Sequence, residues 1–369
     1  MINIFEGGTR LLIKKILIIG IIILFLVTVI NQSVAIDYVK KPSNPISNGK
    51  TLYVGGTGEG NYTTIQEAIN DATDGDTVFV YDEGSPYYEF IIINKSINLI
   101  GEDRNSTIIE RNWKEHVINI LAKNVLITGF TIQDRTLPLG VLDSCIYIKE
   151  DYAIIRGNII KNRIKGIYAK NCNYSSITNN SILSTNGNTG IYLKNTQYCE
   201  VSNNTVKNNN IGIHIEQNTW YEYFSKTIIS HNTIFSNNVG INLDSFWVQE
   251  CNVFRNCLNN NKVGFEIESP RNNEIFYNII ENSTNAIYIR DDSSNNCFYR
   301  NNIIRCKIMV ISYSYEDIWK QNYWNRPRIF PKPIIGKKIL WIDYPYFGLP
   351  RPCLMFDWCP AKAPYEIDV

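Results

Sequence analysis

The chain has 369 residues, more than a single globular core usually holds, so it either divides into domains or grows by repetition. Apolar residues make up 44% and charged residues 19%, with a net charge of +1, a balance that excludes a disordered chain and an electrostatic grip on nucleic acid. Abundant asparagine, isoleucine-rich aliphatics and 12% aromatics favour β-structure with polar turns over helical bundles.

At the N-terminus Arg10, Lys14 and Lys15 precede an apolar run from Ile16 to Ile30, followed by small residues at Ser33 and Ala35. This is the layout of a secretory signal over residues 1–35, cleaved after Ala35. The alternative is an uncleaved anchor, because Leu11 to Ile30 reaches about the 20 residues a spanning helix needs. Either way the rest of the chain is expected outside the cytoplasm, secreted or at the cell surface, meeting a membrane only through that segment. Residues 36–82 read as linker and cap. Within them Thr64 to Ala72 sets Ile65, Ala68, Ile69 and Ala72 on one face of a short helix, and Asp74-Gly75-Asp76 turns into a strand from Thr77 to Tyr81. A solenoid needs such a cover over its open end.

Residues 83–325 repeat. An Asn-x-(Ile/Leu/Val) signal recurs at Asn158, Asn180, Asn204, Asn232, Asn256, Asn278 and Asn302. A second signal precedes each one: CIYIK from Cys145, GIYAK from Gly166, GIYLK from Gly190, GIHIE from Gly212, GINLD from Gly240, GFEIE from Gly264 and AIYIR from Ala286. Two markers in fixed order, at a period of about two dozen residues, identify stacked coils. The second signal alternates aliphatic with polar or charged, as in Ile191, Tyr192, Leu193 and Lys194, which is strand alternation with one buried face. The fold class expected is therefore all-β, a single-stranded right-handed parallel β-helix of about 9–10 coils with a short N-terminal capping helix. Equivalent asparagines then lie above one another and bond along the axis.

The coil holding Asn232 is the longest, with NTWYEYFSK from Asn218 to Lys226, and SFWV follows at Ser245 to Val248. Insertions on one face of a solenoid often mark its binding face, which draws attention to Trp220, Tyr221 and Trp247. Their alternative role is a satellite apolar cluster bracing a long loop. Cys199, Cys251 and Cys297 each stand five residues before a ladder asparagine, which puts them on alternate coils, too far apart for disulfides. Residues 326–369 break the pattern with NRPRIFPKPIIGKK and an aromatic, proline-rich stretch, reading as a cap or docking tail in which Cys353 and Cys359 are the candidate pair.

The TIQEAINDATDGDTVFV opening, the SINLIG strand, the NVLITGFTI coil and the GIY…NNTI units resemble the pectin-lyase-like superfamily, in particular its NosD-like β-helix repeat proteins, over roughly Lys50 to Trp324. The resemblance specifies fold strongly and chemistry weakly, because that superfamily holds lyases, hydrolases, epimerases and non-catalytic surface proteins. NRIKG at Asn162 to Gly166 is similar to the Arg-x-Lys of polygalacturonases, but their paired-aspartate and Gly-His-Gly motifs are missing, as is the Asp-Pro-His type motif of mannuronan epimerases. Copper, which the resemblance also implies, is poorly matched by three histidines and three methionines.

The same resemblance points to the outward positions of one sheet as the sugar-binding surface. Counted along the strands, the first outward row reads Tyr147, Tyr168, Tyr192, His214, Asn242, Glu266 and Tyr288; the second reads Lys149, Lys170, Lys194, Glu216, Asp244, Glu268 and Arg290. Tyrosine and lysine occupy three coils and acids with one histidine the next three. His214, Glu216, Asp244, Glu266 and Glu268 are the candidates for acid/base chemistry, and the four acids are a candidate Ca²⁺ set. Tyr168, Tyr192, Lys194, Tyr288 and Arg290, with Trp220, Tyr221 and Trp247, are the candidate substrate contacts. The alternative is that outward positions of any solenoid are polar. The reading favoured is a glycan-binding surface protein with no clear catalytic signature, whose partner is a polysaccharide or cell-envelope glycan; a Ca²⁺-assisted lyase, epimerase or hydrolase, or an accessory protein in copper-enzyme maturation, are the alternatives.

Overall fold

The computed structural model describes residues 49–369 apart from 112–115, 135–143, 163, 185–187, 219–224, 291–292, 315, 329 and 344–345. The candidate signal segment and the loop with Trp220 and Tyr221 lie outside the described residues, as do the side chains of residues 336–353. Three parallel sheets run the length of a β-solenoid. The first has 12 strands, from Thr51–Val54 to Ile318–Lys320; the third has 11, from Tyr87–Tyr88 to Tyr323–Trp324. The second carries the GIYLK-type strands from Ile91–Ile93 to Ile308–Ser312, and a hairpin of Lys332–Asp343 and Tyr346–Asp357 extends it. Among the described residues no helix is long and apolar enough to cross a membrane.

Inward positions stack in register. One column of the second sheet pairs Ile167, Ile191, Ile213, Ile241, Phe265 and Ile287 in turn, all fully buried. Matching columns, Ile155–Ile177–Val201–Ile229 in the first sheet and Ile160–Ile182–Val206–Ile234 in the third, close a dry core with β-branched side chains suited to a pleated surface. Gly212, at the start of GIHIE, sits where a Cβ would lie 2.6 Å from the carbonyl oxygen of Gly240, so only glycine fits that close approach between coils.

The capping helix spans Ile65–Asp71, with Thr64 Oγ1 accepting from Glu67 N at 3.2 Å. Glu89 accepts from Ile65 N and Gln66 N at its positive end, and Lys95 donates to the carbonyls of Ile69, Asn70 and Ala72 at its negative end. Thr51–Val54 and Thr77–Val80 are already the first two rungs of the first sheet, so the region read as cap contributes to the solenoid itself.

A buried asparagine ladder ties the coils together. Each rung's backbone N and Nδ2 donate to the Oδ1 of the next, as from Asn180 to Asn204 at 3.0 and 3.1 Å, while Nδ2 also reaches a carbonyl such as Ile155 O at 2.8 Å. The residue before each rung is left-handed, with φ from 52° to 58° at Asn179, Asn203, His231, Arg255, Tyr277, Arg300 and Gln321. The side chain thereby satisfies backbone groups that this bend takes out of the sheet ladder. The ladder passes through Asn301, not Asn302 as the spacing suggested: Asn278 donates to Asn301 Oδ1, and Asn301 to Asn322. It ends on the carboxylate of Asp357, fully buried in the hairpin.

The one-residue slip also corrects the cysteines. Cys297 pairs with Glu274, one column away from Cys251, which donates instead to Asn273 of a second ladder running through Asn296 to Asp317. Cys199 and Cys251 are buried free thiols, and burial pushes both up to about 11. Cys359 is free and exposed, against the expectation of a pair with Cys353, whose side chain lies outside the described residues.

Candidate functional site

The second sheet's register reproduces both outward rows. Tyr147, Tyr168, Tyr192, His214, Asn242, Glu266 and Tyr288 are paired in turn, and Lys170, Lys194, Glu216, Asp244 and Glu268 form the parallel row beside them. Alternation along each strand puts these side chains outside because their neighbours Ile213, Ile215, Ile241 and Leu243 fill the core.

The first row is less exposed than its outward position implies. His116, Tyr147, Tyr168, Tyr192 and His214 form one column of stacked rings with successive centroids 4.3, 5.2, 5.0 and 4.7 Å apart. Each inner ring has both faces covered, which leaves Tyr168 only 4% exposed and, with burial as the main cause, lifts its phenol to about 12. The faces of Tyr168 and Tyr192 are thus spent on one another, and edges and hydroxyls remain for any ligand. A second stack, Tyr152–Tyr174–Tyr198 at 5.1 and 5.0 Å, occupies left-handed turn positions and was not singled out from the sequence, because only the shared turn geometry aligns it.

Next along the axis the acids separate into two groups. His214, Glu216 and Asp244 each offer a ligand atom within 4.8 Å of the others, and His214 Nε2 lies 3.5 Å from Asp244 Oδ2. Glu216 also accepts from the hydroxyl of Tyr192, from Asn218 Nδ2 and from Lys194 Nζ, the last at 2.9 Å. Burial raises the Glu216 carboxyl and lowers the Lys194 ammonium, pushing each toward its neutral form despite their contact. Glu266 and Glu268 belong elsewhere: Arg290 holds them at 2.7 and 3.4 Å while its guanidinium lies over Tyr288, 5.3 Å from the ring centre. The four carboxylates proposed as one cation set are therefore divided, two paired by arginine and two gathered around His214. Glu268 is raised too, by burial first, with Arg290 opposing.

One imidazole with two carboxylates is a donor set for a borderline divalent ion rather than for Ca²⁺, which prefers an all-oxygen shell. Copper fits less well. His116 and His214 stand at opposite ends of the ring column, His231 sits at a turn beside Phe254, and Met355 is in the core, so the described residues assemble no soft-ligand centre. Trp247 is partly exposed on the turn after Asp244, edge-on to Phe246, whose other neighbour is the Arg271 guanidinium at 3.8 Å. It is the one described member of the expected aromatic loop cluster among the substrate candidates.

The chain matches two family models: "Right handed beta helix region" over residues 52–246 and "Periplasmic copper-binding protein (NosD)" over residues 218–340. No curated protein matches it. Among solved structures it is similar to XylC in complex with xylose (TM-score 0.56, 12% identity, covering 84% of this chain and 73% of that one). It is similar to a polygalacturonase from Erwinia carotovora (0.52, 12%, 78% and 92%). A third is a GH136 lacto-N-biosidase from Eubacterium ramulus (0.51, 10%, 73% and 68%). At these identities the likeness is one of fold.

Proposed function

The chain belongs to the right-handed β-helix family, and from that premise we propose that it is an extracytoplasmic glycan-binding protein whose binding surface is the outer face of the second sheet. The observation that carries this reading is the continuous double row on that face, with lysines on three coils, acids on the next three and Arg290 beyond. A strip that changes sign along a straight axis suits a linear polymer bearing charged groups better than a compact small molecule. Because the ring faces are stacked on each other, recognition falls to the ammonium, carboxylate and phenol groups, with Trp247 as an aromatic contact at the side. The solved proteins with xylose, polygalacturonase or lacto-N-biosidase in their titles make a sugar polymer the natural class to test.

The test is binding of the full chain to an array of neutral and acidic polysaccharides, with and without Ca²⁺. Selective retention of acidic polymers that is weakened by Lys170→Glu supports the reading, and an array without any retained glycan removes it. A second, catalytic reading is favoured by one observation: the Glu216 and Asp244 oxygens approach within 4.8 Å with His214 beside them, near the spacing of paired carboxylates in glycoside hydrolysis. Product release from a bound polymer that stops in Asp244→Asn would establish it; binding without product leaves the non-catalytic reading in place.

A further inference from the structure

The break in the repeat at NRPRIFPKP gathers cations that nothing in the binding strip uses. Arg326, Arg328 and Lys332 follow the last rung of the third sheet, Tyr323–Trp324, and Lys332 opens the hairpin strand Lys332–Asp343. Lys332 Nζ lies 5.9 Å from the centre of the Trp324 ring, which is itself 1% exposed. Arg328 is half-buried, and its Nε is sealed from solvent without a hydrogen-bond partner. Among the described residues none of the three cations forms an ion pair. The nearby carboxylate, Asp357, is committed elsewhere: it accepts from Gln321 N, Asn322 N and Trp324 Nε1, each at 2.9 Å, and from Asn322 Nδ2 at 3.2 Å.

Burial first, and after it the charge of Arg326 on Arg328 and those of Arg328 and Arg326 on Lys332, push both groups toward their neutral forms. Like charges gathered without a counter-charge cost free energy that an anion between them would return, and a guanidinium N–H held away from water still needs an acceptor. Pro327 separates the arginines and Pro331 and Pro333 flank the lysine. Their fixed φ angles hold the backbone in place beforehand, so less order has to be gained on binding.

We propose that Arg326, Arg328 and Lys332 form a binding site for a phosphate or sulfate group at the C-terminal end of the solenoid, separate from the glycan-binding face. Three cations around one tetrahedral anion match its several acceptor oxygens, and the arginine forks suit its planar oxygen pairs. The group comes either as a free ion or as an ester on a sugar, and the same chemistry recognises both.

The experiment is calorimetric titration of the full chain with sodium phosphate, sodium sulfate, a hexose phosphate and a hexose sulfate, at one ionic strength fixed with sodium chloride. Saturable binding at a single site is expected, weakened roughly tenfold or more by Arg328→Gln and by Lys332→Gln. Arg326→Gln, on an exposed side chain, gives the same direction of change with the melting temperature retained, which separates a binding loss from a folding loss. Tighter binding of the sugar esters assigns an esterified ligand, and tighter binding of the inorganic ions a free one; both uphold the site. No heat above the chloride control, or affinity that survives all three substitutions, overturns it. Because the glycan strip is untouched by these changes, its failure and the failure of this site are read independently.

Discussion

Asn232→Ala tests how much of the solenoid's stability lies in its polar ladder. Asn232 is fully buried at the centre of the ladder. Its Oδ1 accepts from Asn204 N at 2.9 Å and Asn204 Nδ2 at 3.1 Å, and its Nδ2 donates to Val201 O at 2.9 Å, Ser230 O at 3.0 Å and Asn256 Oδ1 at 2.9 Å. Asn256 Oδ1 keeps the backbone donor of residue 232, at 3.1 Å, and Asn204 Nδ2 keeps Ile177 O and Ser202 O. The group left stranded is the Asn204 N–H, because the Val201 carbonyl stays in the parallel ladder between Glu200–Ser202 and Ile228–Ser230. At about 1–3 kcal/mol for a buried polar group without a partner, the loss is about 1–3 kcal/mol. Urea unfolding measures it, and hydrogen exchange on the coils above and below localises it, since a solenoid need not lose all its coils together. The control is Asn238→Ala: that side chain bonds to Asn210 Oδ1 at 2.8 Å on the exposed surface and should cost no more than about 0.5 kcal/mol. Equal losses in the two variants would refute the ladder as a stabilising element.

Three further outcomes follow from the same geometry. Gly212→Ala drives a methyl group against the Gly240 carbonyl and Ile234 Cγ2, 2.6 and 2.9 Å away, and should destabilise by about 1–3 kcal/mol; an unchanged unfolding midpoint would show that the coils can separate. Asp357→Asn places an amide among four donors, leaving at least one buried donor without an acceptor, so the loss should be about 1–3 kcal/mol with faster hydrogen exchange in Lys332–Asp357, whereas unaltered exchange would detach the hairpin from the ladder's end. Glu216 and Glu268 have carboxyls raised by burial, so the folded chain holds their protons more tightly than the unfolded chain. The stability they contribute is present in acid and lost as pH rises through their raised values. Replacing both by glutamine should flatten that decline in a series of melting temperatures from mildly acid to neutral pH, and a slope equal to wild type would contradict the assignment.

The outward rows were legible because strand alternation has a period of two and the GIYLK units recur without internal insertions, so residue number alone gave the face and the register. Register did not reveal orientation. That Tyr168 and Tyr192 lie face to face depends on ring rotation, and that Arg290 claims Glu266 and Glu268 depends on the reach of a long side chain across coils. The ladder was misread at Asn301-Asn302 because two adjacent asparagines fit the spacing equally well, and Cys297 was displaced with it. Asp357 as the ladder's last acceptor left no signal: 35 residues separate it from Asn322, and only the hairpin brings them together. The candidate acids were correctly gathered on neighbouring coils, whereas their division into an arginine-paired half and a histidine-centred half required the structure.

The central claim, that the second sheet's outer face grips an anionic glycan, is tested most directly by reversing two of its cations. Lys149→Glu with Lys170→Glu changes the sign of the strip at one exposed and one partly buried site without entering the core. Affinity for an acidic polysaccharide, measured across a salt series, should fall at least tenfold, and the salt dependence should weaken. Binding that keeps both its strength and its salt slope in the reversed variant would place the ligand elsewhere on the molecule and contradict the account.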